Sequence, residues 1–465
     1  MTEVVTESPS APVARPPRVP RRAPADLPFS FVDRAFVEAL ADERGEPGWL
    51  RDDRLAALAA FESTPVEANL LYTPYVDLRA AKLEDAVPYR ATADGAPGTG
   101  AVPAEAAGFI EFREGGVVTL VLGDEAAGAG VRLDTLGGLV RRDEALARRL
   151  ATREGSLPAD DKLAHLSRAA WSQGVVLHVP AGVRVERPFV VRWAAGVPDR
   201  ALIARTIVAL DEGAEATLVE EMVGEGTVPG RQALFGSSTE IVLGAHSRLA
   251  MASLQELGPD QITFQQRLAS IGEGAELHWA LAQMGSKLVR SRVDNVLAGD
   301  RSSVEQVEIV FGAAGQFHDL TSYTRHVGRD TTGEIMSKGV LLDDARTYMK
   351  GMISIEKTAI GTDSYLGEFG MNLSKAARSV AIPSLEIDQP DCRRAMHSSS
   401  VGPIDETQLF YLESRGIHPD DARKFIVLGF LEPVVARVPF ADAQDRLREA
   451  LEAKWAAGLR SADAA

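Results

Sequence analysis

The residues best suited to metal or sulfur chemistry lie close together in the last fifth of the chain. Cys392 is the only cysteine of the 465 residues, and His397 follows five positions later. A thiolate and an imidazole are both ligands for transition metals. Their spacing matches no zinc-finger pattern, so a complete coordination sphere would need groups from elsewhere. The Pro, Gly and Ser residues around the pair predict a loop or a strand edge.

Other chemistry-bearing motifs are weaker. The sequence contains no phosphate-binding loop, no GxSxG elbow and no HExxH motif, so nucleotide hydrolysis by this chain alone is not expected. His318 and His326 share the segment FHDLTSYTRH and could meet as ligands if that segment formed one turn. Lone histidines such as His178 and His278 are more often packed or surface residues. A lone cysteine is more often an inert thiol, which favours His397 over Cys392.

Composition and charge restrict the class of protein. The chain is 45% hydrophobic and 25% charged, with a formal net charge of -16, which argues against nucleic acid or an anionic membrane as the main partner. No apolar run approaches the roughly 18 residues of a membrane span, and the N-terminus lacks the apolar core of a signal peptide. A single cysteine excludes an internal disulfide framework. We expect a cytoplasmic globular protein.

The N-terminal third alternates between tail, helices and linker. Residues 1–28 are rich in Pro, Arg and Ser, which predicts a disordered tail. Residues 29–173 predict a helical region with a linker and short strands. Apolar residues recur at helical spacing over 31–62 and 134–172, and a strand pair is expected over 109–122.

Residues 174–403 have a different character, because short β-branched runs alternate with tight turns. The turn glycines lie 25 to 31 residues apart: Gly213, Gly244, Gly274 and Gly299. Each unit is too short to bury its own apolar face, so stacked units predict a β-solenoid of about nine turns at about 25 residues each. A β-sandwich would show strands every 8 to 12 residues and is the less favoured alternative. Both ends would expose strand edges, which helical termini or a partner could cover.

Residues 404–465 predict a helical domain. Asp405 is a good N-cap for a first helix, Pro419 opens a second, and a third is expected over residues 441–455. Two interpretations of these helices are compatible: a bundle that caps the solenoid, or a docking surface for a partner.

Four segments of the chain resemble a known family, the SufB/SufD subunits of the SUF iron–sulfur cluster assembly scaffold. They are GEPGWLRDDRLAALAAFESTPVE, WSQGVVLHVPAGVRVERPFVV, TTGEIMSKGVLLDDARTYMKGMISI and HSSSVGPIDETQLFYLESRGIHPDDARKFIVLGFLEPV. The last is highly specific for the family. The resemblance implies a right-handed parallel β-helix with helical N- and C-terminal regions, a fold that is mainly β.

The resemblance also implies partners and cargo. A SufB-like subunit would pair with this chain through the β-helix, and a homodimer stays open for the isolated chain. A transient iron–sulfur cluster or iron would form at that interface, with His397 and Cys392 as candidate ligands, and a reduced flavin would bind the complex. The C-terminal helices would bind a SufC-like ATPase, and the candidate contact residues are Gln408, Leu409, Phe410, Tyr411, Arg415, Phe425 and Phe430.

Within the family, the residues around His397 favour SufD, a non-catalytic scaffold subunit. SufB-like chains carry a Glu-His-Glu pattern here, whereas this chain has Met396 and Ser398 beside the histidine. SufD-like chains often carry a cysteine two positions before the histidine, so the role of Cys392 stays open. The alternatives are a SufB-like cluster-bearing subunit and, from another class, a β-helix enzyme acting on polysaccharide. The missing signal peptide and the lack of a repeated acidic ladder count against that enzyme.

Overall fold

A computed structural model describes residues 31–90, 102–103, 105–438 and 441–462, so the predicted tail over residues 1–28 lies outside the described residues. The protein is mainly β, with a solenoid of about 8 turns flanked by N- and C-terminal helices, which confirms the predicted fold class. The strands are β1 Val87–Pro88, β2 Gly108–Arg113, β3 Gly116–Leu122, β4 Arg132–Thr135, β5 Gln173–Val179, β6 Phe189–Ala195, β7 Arg200–Leu210, β8 Glu215–Gly224, β9 Leu234–Leu243, β10 Arg248–Glu256, β11 Ile262–Ile271, β12 Glu276–Gln283, β13 Leu288–Leu297, β14 Ser303–Gly312, β15 Phe317–His326, β16 Thr332–Leu341, β17 Arg346–Ile355, β18 Asp363–Asn372, β19 Arg378–Ile387 and β20 Arg394–Pro403.

The helices lie on either side of the solenoid in the chain order. They are α1 Arg34–Arg44, α2 Gly48–Ser63, α3 Asp124–Gly128, α4 Leu136–Arg142, α5 Glu144–Ala151, α6 Lys162–Ala170, α7 Glu406–Ser414, α8 Pro419–Val435 and α9 Ala441–Ala462, with a short 3-10 helix at Thr73–Tyr75. The predicted division into domains stays a prediction. No helix within the described ranges is long and apolar enough to cross a membrane.

Each turn of the solenoid contributes one strand to each of two sheets. Sheet one runs in the order β19, β17, β15, β13, β11, β9, β7, β5, β4, and sheet two in the order β20, β18, β16, β14, β12, β10, β8, β6, β2, β3. Leu288, Phe317 and Arg346 are successive register partners, 29 residues apart. The repeat is longer than predicted, because each turn holds two strands of ten residues and the two corners that join them. The prediction of about nine turns of about 25 residues each was therefore wrong.

The interior is built from residues of both sheets that alternate with outward-facing ones along each strand. One row of register partners runs along the inside of sheet two, and we call it the central ladder. Its members are all buried: Phe189, Leu218, Met251, Trp279, Gln306, Ile335 and Leu366. Parallel strands in register stack equivalent residues, so one strand pattern repeated from turn to turn makes a continuous core.

The first end of the solenoid is closed by β-structure. The antiparallel hairpin β2–β3 pairs with β6, and β4 pairs antiparallel with β5. Helices α2 and α6 do not cover this end, because they pack on the outer face of sheet one. There Leu58 and Leu166 share a core cluster with Ile203 and Phe264. The strand pair predicted over residues 109–122 is the hairpin.

The C-terminal helices pack on the outer face of sheet two. Val427 and Leu431 of α8 and Leu451 of α9 share a core cluster with Val307 and Ile309 of β14. On α8 the buried residues are Ala422, Val427, Leu431, Val434 and Val435, whereas Phe425 is exposed. The helices therefore line the side of the solenoid, and the interpretation as an end cap was wrong.

Candidate functional site

The last turn of the solenoid has open strand edges. β19 pairs only with β17, and β20 pairs only with β18, so one side of each strand has no strand partner among the described residues. Most residues of β19 and β20 are half-buried or exposed, whereas every second residue of β17 is buried. Ile387, Met396 and Val401 are 45%, 53% and 40% exposed at this end. A row of free backbone groups beside apolar side chains is a template for another strand edge.

His397 occupies the exposed end of the central ladder. It is the register partner of Leu366, which is 2% exposed and pairs in turn with Ile335. Register partners in parallel strands face the same side of a sheet. The imidazole therefore lies on the inward row of sheet two, and it is exposed because no further turn covers it. The sequence singled out His397 by its residue type and by the family resemblance, but its place on the inward row follows only from the strand register.

Cys392 lies outside this row. It belongs to the corner between β19 and β20, where its free thiol is half-buried against an apolar cluster that includes Leu385 and Ala395. Within the described ranges, no group of three or more His, Cys, Asp or Glu side chains is arranged to hold a metal ion. The two predicted ligands are thus neighbours in sequence but sit in different structural settings, one in a corner and one on an edge strand.

A polar row runs beside the central ladder, one inward position further along each strand. Ser399 of β20 pairs with Glu368, which pairs with Ser337, which pairs with Glu308. Burial raises the pKa of Glu368 to about 8 and that of Glu308 to about 7. The carboxylate oxygen of Glu368 accepts a hydrogen bond of 2.8 Å from the backbone N–H of Ile382, so it joins the two sheets just below the open end.

The sequence pattern did not predict this polar row. Val307 and Ile309, which flank Glu308 on β14, are also buried, because α8 and α9 cover the outer face of sheet two. With both faces buried, the strand shows no polar and apolar alternation that would assign Glu308 to the inside.

The edge strand β20 is held on its neighbour by side chains as well as by the backbone. Nε of Arg394 donates a 2.5 Å hydrogen bond to Asp363, and the guanidinium also contacts Glu334. The hydroxyls of Tyr365 and Ser398 lie 2.6 Å apart. These contacts hold β20 against β18 and so position the strand that carries His397.

The other histidines do not form a ligand group. His318 lies near the first end of β15 and His326 is its last residue, so they lie roughly 27 Å apart along an extended strand. The expectation that they meet in one turn was wrong, because the segment is a strand. Burial lowers the pKa of His318 to about 3 and that of His326 to about 4. His178 bonds Asp211 at 2.8 Å, and His278 lies 3.3 Å from Glu305.

Helices α7 and α8 expose aromatic side chains. Phe410 is 71% exposed, and Tyr411 and Phe425 are each 56% exposed. No residue of α7 is buried, so the helix projects from the body of the protein. The guanidinium of Arg415 lies 5.2 Å from the ring centroid of Tyr411.

The other predicted contact residues divide into two groups. Gln408 is exposed and Leu409 is half-buried, so both border the exposed aromatic residues. Phe430 instead packs against the solenoid, where Nζ of Lys338 lies 4.6 Å from its ring centroid. The sequence placed Phe430 among the candidate contact residues, and only the packing of α8 shows that its ring lies against the solenoid.

Comparison with known proteins decides the family. The model for the SufBD core domain of the SUF system for FeS cluster assembly matches residues 192–430, about half of the chain. The chain belongs to the SufB/SufD family. The iron–sulfur cluster assembly protein SufD of Bacillus subtilis (strain 168) is 27% identical over 437 residues, which cover 91% of this chain and 98% of that protein.

Other relatives carry the same family name. An iron–sulfur cluster assembly SufBD family protein of Staphylococcus epidermidis (strain ATCC 12228) is 25% identical over 441 residues, covering 91% of this chain and 94% of that protein. One of Staphylococcus aureus (strain USA300) is 26% identical over 428 residues, covering 89% and 91%. The predicted family is confirmed, with the likeness to SufD, and the chain is an iron–sulfur cluster assembly protein of this family.

The region that matches the SufBD core domain begins in β6 and ends in α8. It therefore contains both features described above, the open end with His397 and most of the exposed aromatic helices. The closing hairpin β2–β3 and helix α9 lie outside it.

Proposed function

We propose that this chain is a SufD-like, non-catalytic scaffold subunit that acts in the cytoplasm and pairs with a SufB-like subunit. The observation that carries this proposal is the open edge formed by β19 and β20, with His397 at the end of the central ladder. A second solenoid with an open edge of its own would satisfy the free backbone groups. The pair would then enclose His397 at the junction.

His397 would offer its imidazole to iron or to a bridging species of a cluster that forms as cargo at this junction. Neutral imidazole is a ligand for iron, and a strand-borne imidazole needs little reordering to bind. The facing subunit would supply the other ligands. Cys392 is the second donor proposed from this chain, since its thiol lies in the corner that leads into β20.

The exposed helices α7 and α8 would bind a SufC-like ATPase. Phe410, Tyr411 and Phe425 supply an aromatic surface of the type that dominates binding energy in protein interfaces, and Gln408 and Arg415 supply polar contacts at its border. The buried side of α8 joins this surface to the solenoid, so the ATPase would act on the scaffold through α8.

Co-expression with SufB-like and SufC-like chains from the same organism, followed by mass measurement of the purified assembly, tests the proposal. We expect a complex that contains all three chains. A stable cluster-bearing assembly of this chain without a SufD-like partner would instead favour the SufB-like role. Absence of any assembly with either chain would contradict the proposal.

The variant His397→Ala tests the ligand role. We expect the complex to form with unchanged mass and thermal stability, because the imidazole is exposed, while cluster formation in cells falls at least about tenfold, since even residues that only support a metal ligand have an effect of about that size. Cluster delivery is measured as the activity of an iron–sulfur enzyme in the same cells. Ser400→Ala, on the same strand but facing outward, is the matched control. Undiminished cluster output in His397→Ala would remove the role.

A further inference from the structure

The segment between α2 and β1 forms a strap across the outer face of sheet one, and we define the strap as residues 66–83. It runs first toward the open end of the solenoid. Glu67 pairs with Arg290 on β13 at 3.0 Å, and Nδ2 of Asn69 donates to the hydroxyl of Tyr323 on β15 at 3.2 Å. The hydroxyl of Tyr72 then donates to the carbonyl oxygen of Gly351 on β17 at 2.8 Å. Successive strap residues thus step from turn to turn.

The strap reverses at the last turn and runs back. Tyr72 also contacts Ser384 on β19, the final strand of sheet one. Farther along, Gln232, which lies just before β9, hydrogen-bonds to the backbone of Ala80 and Lys82. β1, which follows the strap, pairs with β7. The tip of the strap, residues 69–75, is therefore its closest approach to the open end.

Two leucines at the tip of the strap, Leu70 and Leu71, are exposed to solvent. Leu70 is 80% exposed and Leu71 is 57% exposed, and Leu70 is the most exposed of the large apolar side chains among the described residues. The backbone around them is firmly anchored. Tyr72 is fully buried, and Oδ1 of Asn69 accepts a 2.9 Å hydrogen bond from the backbone N–H of Leu71. Two adjacent leucines that lie largely in solvent are the kind of contiguous apolar surface that a partner covers.

The leucines lie beside a residue that reaches the last turn, since Tyr72, next to Leu71, contacts Ser384 on β19. Ile387 on β19 and Met396 and Val401 on β20 are the exposed large apolar side chains of the last turn. The free backbone groups of β19 and β20 select a strand edge as the occupant, so the surface fits a second β-solenoid subunit.

We propose that Leu70 and Leu71 form a clamp that packs against the outer surface of the solenoid subunit docked on β19 and β20. This inference rests on the proposed function, because the clamp needs edge-to-edge pairing at the open end. Hydrogen bonds along β19 and β20 would orient the two subunits, and the clamp would add an apolar contact outside these strands. Burying two leucine side chains is sufficient to change the affinity by more than about tenfold.

The test uses the full chain with the co-expressed SufB-like subunit and compares three variants. Leu70→Ser with Leu71→Ser removes the clamp. Met396→Lys with Val401→Lys places charges on the open edge. Val228→Ser is the matched control, because Val228 is a 45% exposed apolar residue in a corner between β8 and β9. The dissociation constant of the pair and the melting temperature of each variant alone are measured.

We expect the clamp variant to weaken pairing more than about tenfold with an unchanged melting temperature, the edge variant to abolish pairing, and the control to pair as the wild type does. Wild-type affinity in the clamp variant, with pairing lost in the edge variant, would overturn the clamp and leave the proposed function standing. Wild-type affinity in the edge variant, or no pairing of the wild type, would overturn both.

Discussion

The carboxyl group of Glu308 lies inside the solenoid. It is buried because the neighbouring turns stack above and below it. Glu308 is 1% exposed, and burial raises its pKa to about 7 against the opposing effect of Arg267. Glu368, two turns closer to the open end, has a pKa raised to about 8 by burial. Both groups bind protons more tightly in the folded protein than in the unfolded chain. Their contribution to stability is therefore complete below about pH 4.3 and is lost as the pH rises through 7 to 8.

The variant Glu308→Gln tests this linkage. A pKa raised from 4.5 to about 7 corresponds to a loss of about 3 kcal/mol when the carboxylate ionises, so we expect the variant to gain up to that amount over the wild type at pH 9. At pH 4 the two proteins should be equally stable, since the wild-type carboxyl is then neutral. Urea unfolding at a series of pH values measures the difference.

Glu305→Gln is the control for that experiment, because Glu305 lies on the same strand but faces outward. A hydrogen bond from His278 lowers the pKa of Glu305, so its carboxylate stabilises the fold above its usual pKa and that contribution is lost as the pH falls. This control should therefore gain nothing at pH 9. Parallel stability curves for wild type and Glu308→Gln would contradict the assignment of Glu308 to a buried, neutral state.

At the scale of single elements, α8 joins the exposed helices to the solenoid. Pro433 lies inside this helix and supplies no N–H to the carbonyl group four residues earlier, which disturbs the hydrogen bonds of that turn. In the disturbed turn, the carbonyl oxygen of Phe430 accepts a 2.6 Å hydrogen bond from Nζ of Lys338 on β16. The carbonyl group that lacks its helical donor is that of Gly429, so the solenoid holds the helix at the residue next to it.

The variant Lys338→Met is expected to destabilise the attachment of α8 by about 1 to 2 kcal/mol, because it removes a charge-assisted hydrogen bond to the backbone of α8 and the cation that lies 4.6 Å from the ring centroid of Phe430. Limited proteolysis of the C-terminal helices, together with the melting temperature, measures this effect. Arg448→Met is the control, since its 2.8 Å ion pair with Glu432 is solvent-exposed and should contribute little. Equal proteolysis rates for the two variants would refute the role of Lys338.

The docking surface on α7 and α8 is best tested by point substitutions. Deletion of all residues after Ile404 would uncover the outer face of sheet two as well as remove the docking surface. Phe410→Ser combined with Phe425→Ser changes only exposed side chains, so we expect unchanged folding and at least about thirtyfold weaker binding of a SufC-like ATPase. Titration calorimetry measures the affinity, with Val121→Ser on β3 as the control. Wild-type affinity in the double variant would place the docking surface elsewhere.

At the scale of the whole molecule, the two ends of the solenoid differ. The first end is closed by antiparallel strands, and the last is open at β19 and β20. In a stacked architecture each turn is stabilised mainly by its neighbours, so a turn with one neighbour is less stable than a turn with two. The last turn is therefore the part of the solenoid that depends most on a partner.

Hydrogen exchange measures that dependence. We expect amides of β19 and β20 to exchange faster than those of β9 to β14, and to become protected when the SufB-like subunit binds, because their free edges are then paired. Peptides from β4 and β5 at the closed end serve as the internal control, since their protection should not change. Uniform protection along the solenoid before binding would contradict this expectation.

Features that depend on local pattern were predictable from the amino-acid chain alone. Recurring short strands and tight turns predicted stacked units, Asp405 and Pro419 marked helix starts, and Asp405 indeed accepts hydrogen bonds from two backbone N–H groups of α7. The family segments are contiguous, so they identified the family and His397 without any structure. These features depend on residues close together in the chain.

The three-dimensional packing of strands and helices was needed to show which distant residues lie side by side. It put His397 at the end of a buried ladder, placed Phe430 against the solenoid while Phe410 stays exposed, and carried the strap residue Tyr72 onto β17 and β19. Each outcome depends on register between turns about 29 residues apart, or on which side of a helix or strap meets a sheet. Such contacts join distant residues, and a strand or helix with both faces apolar carries no local signal that selects one of them.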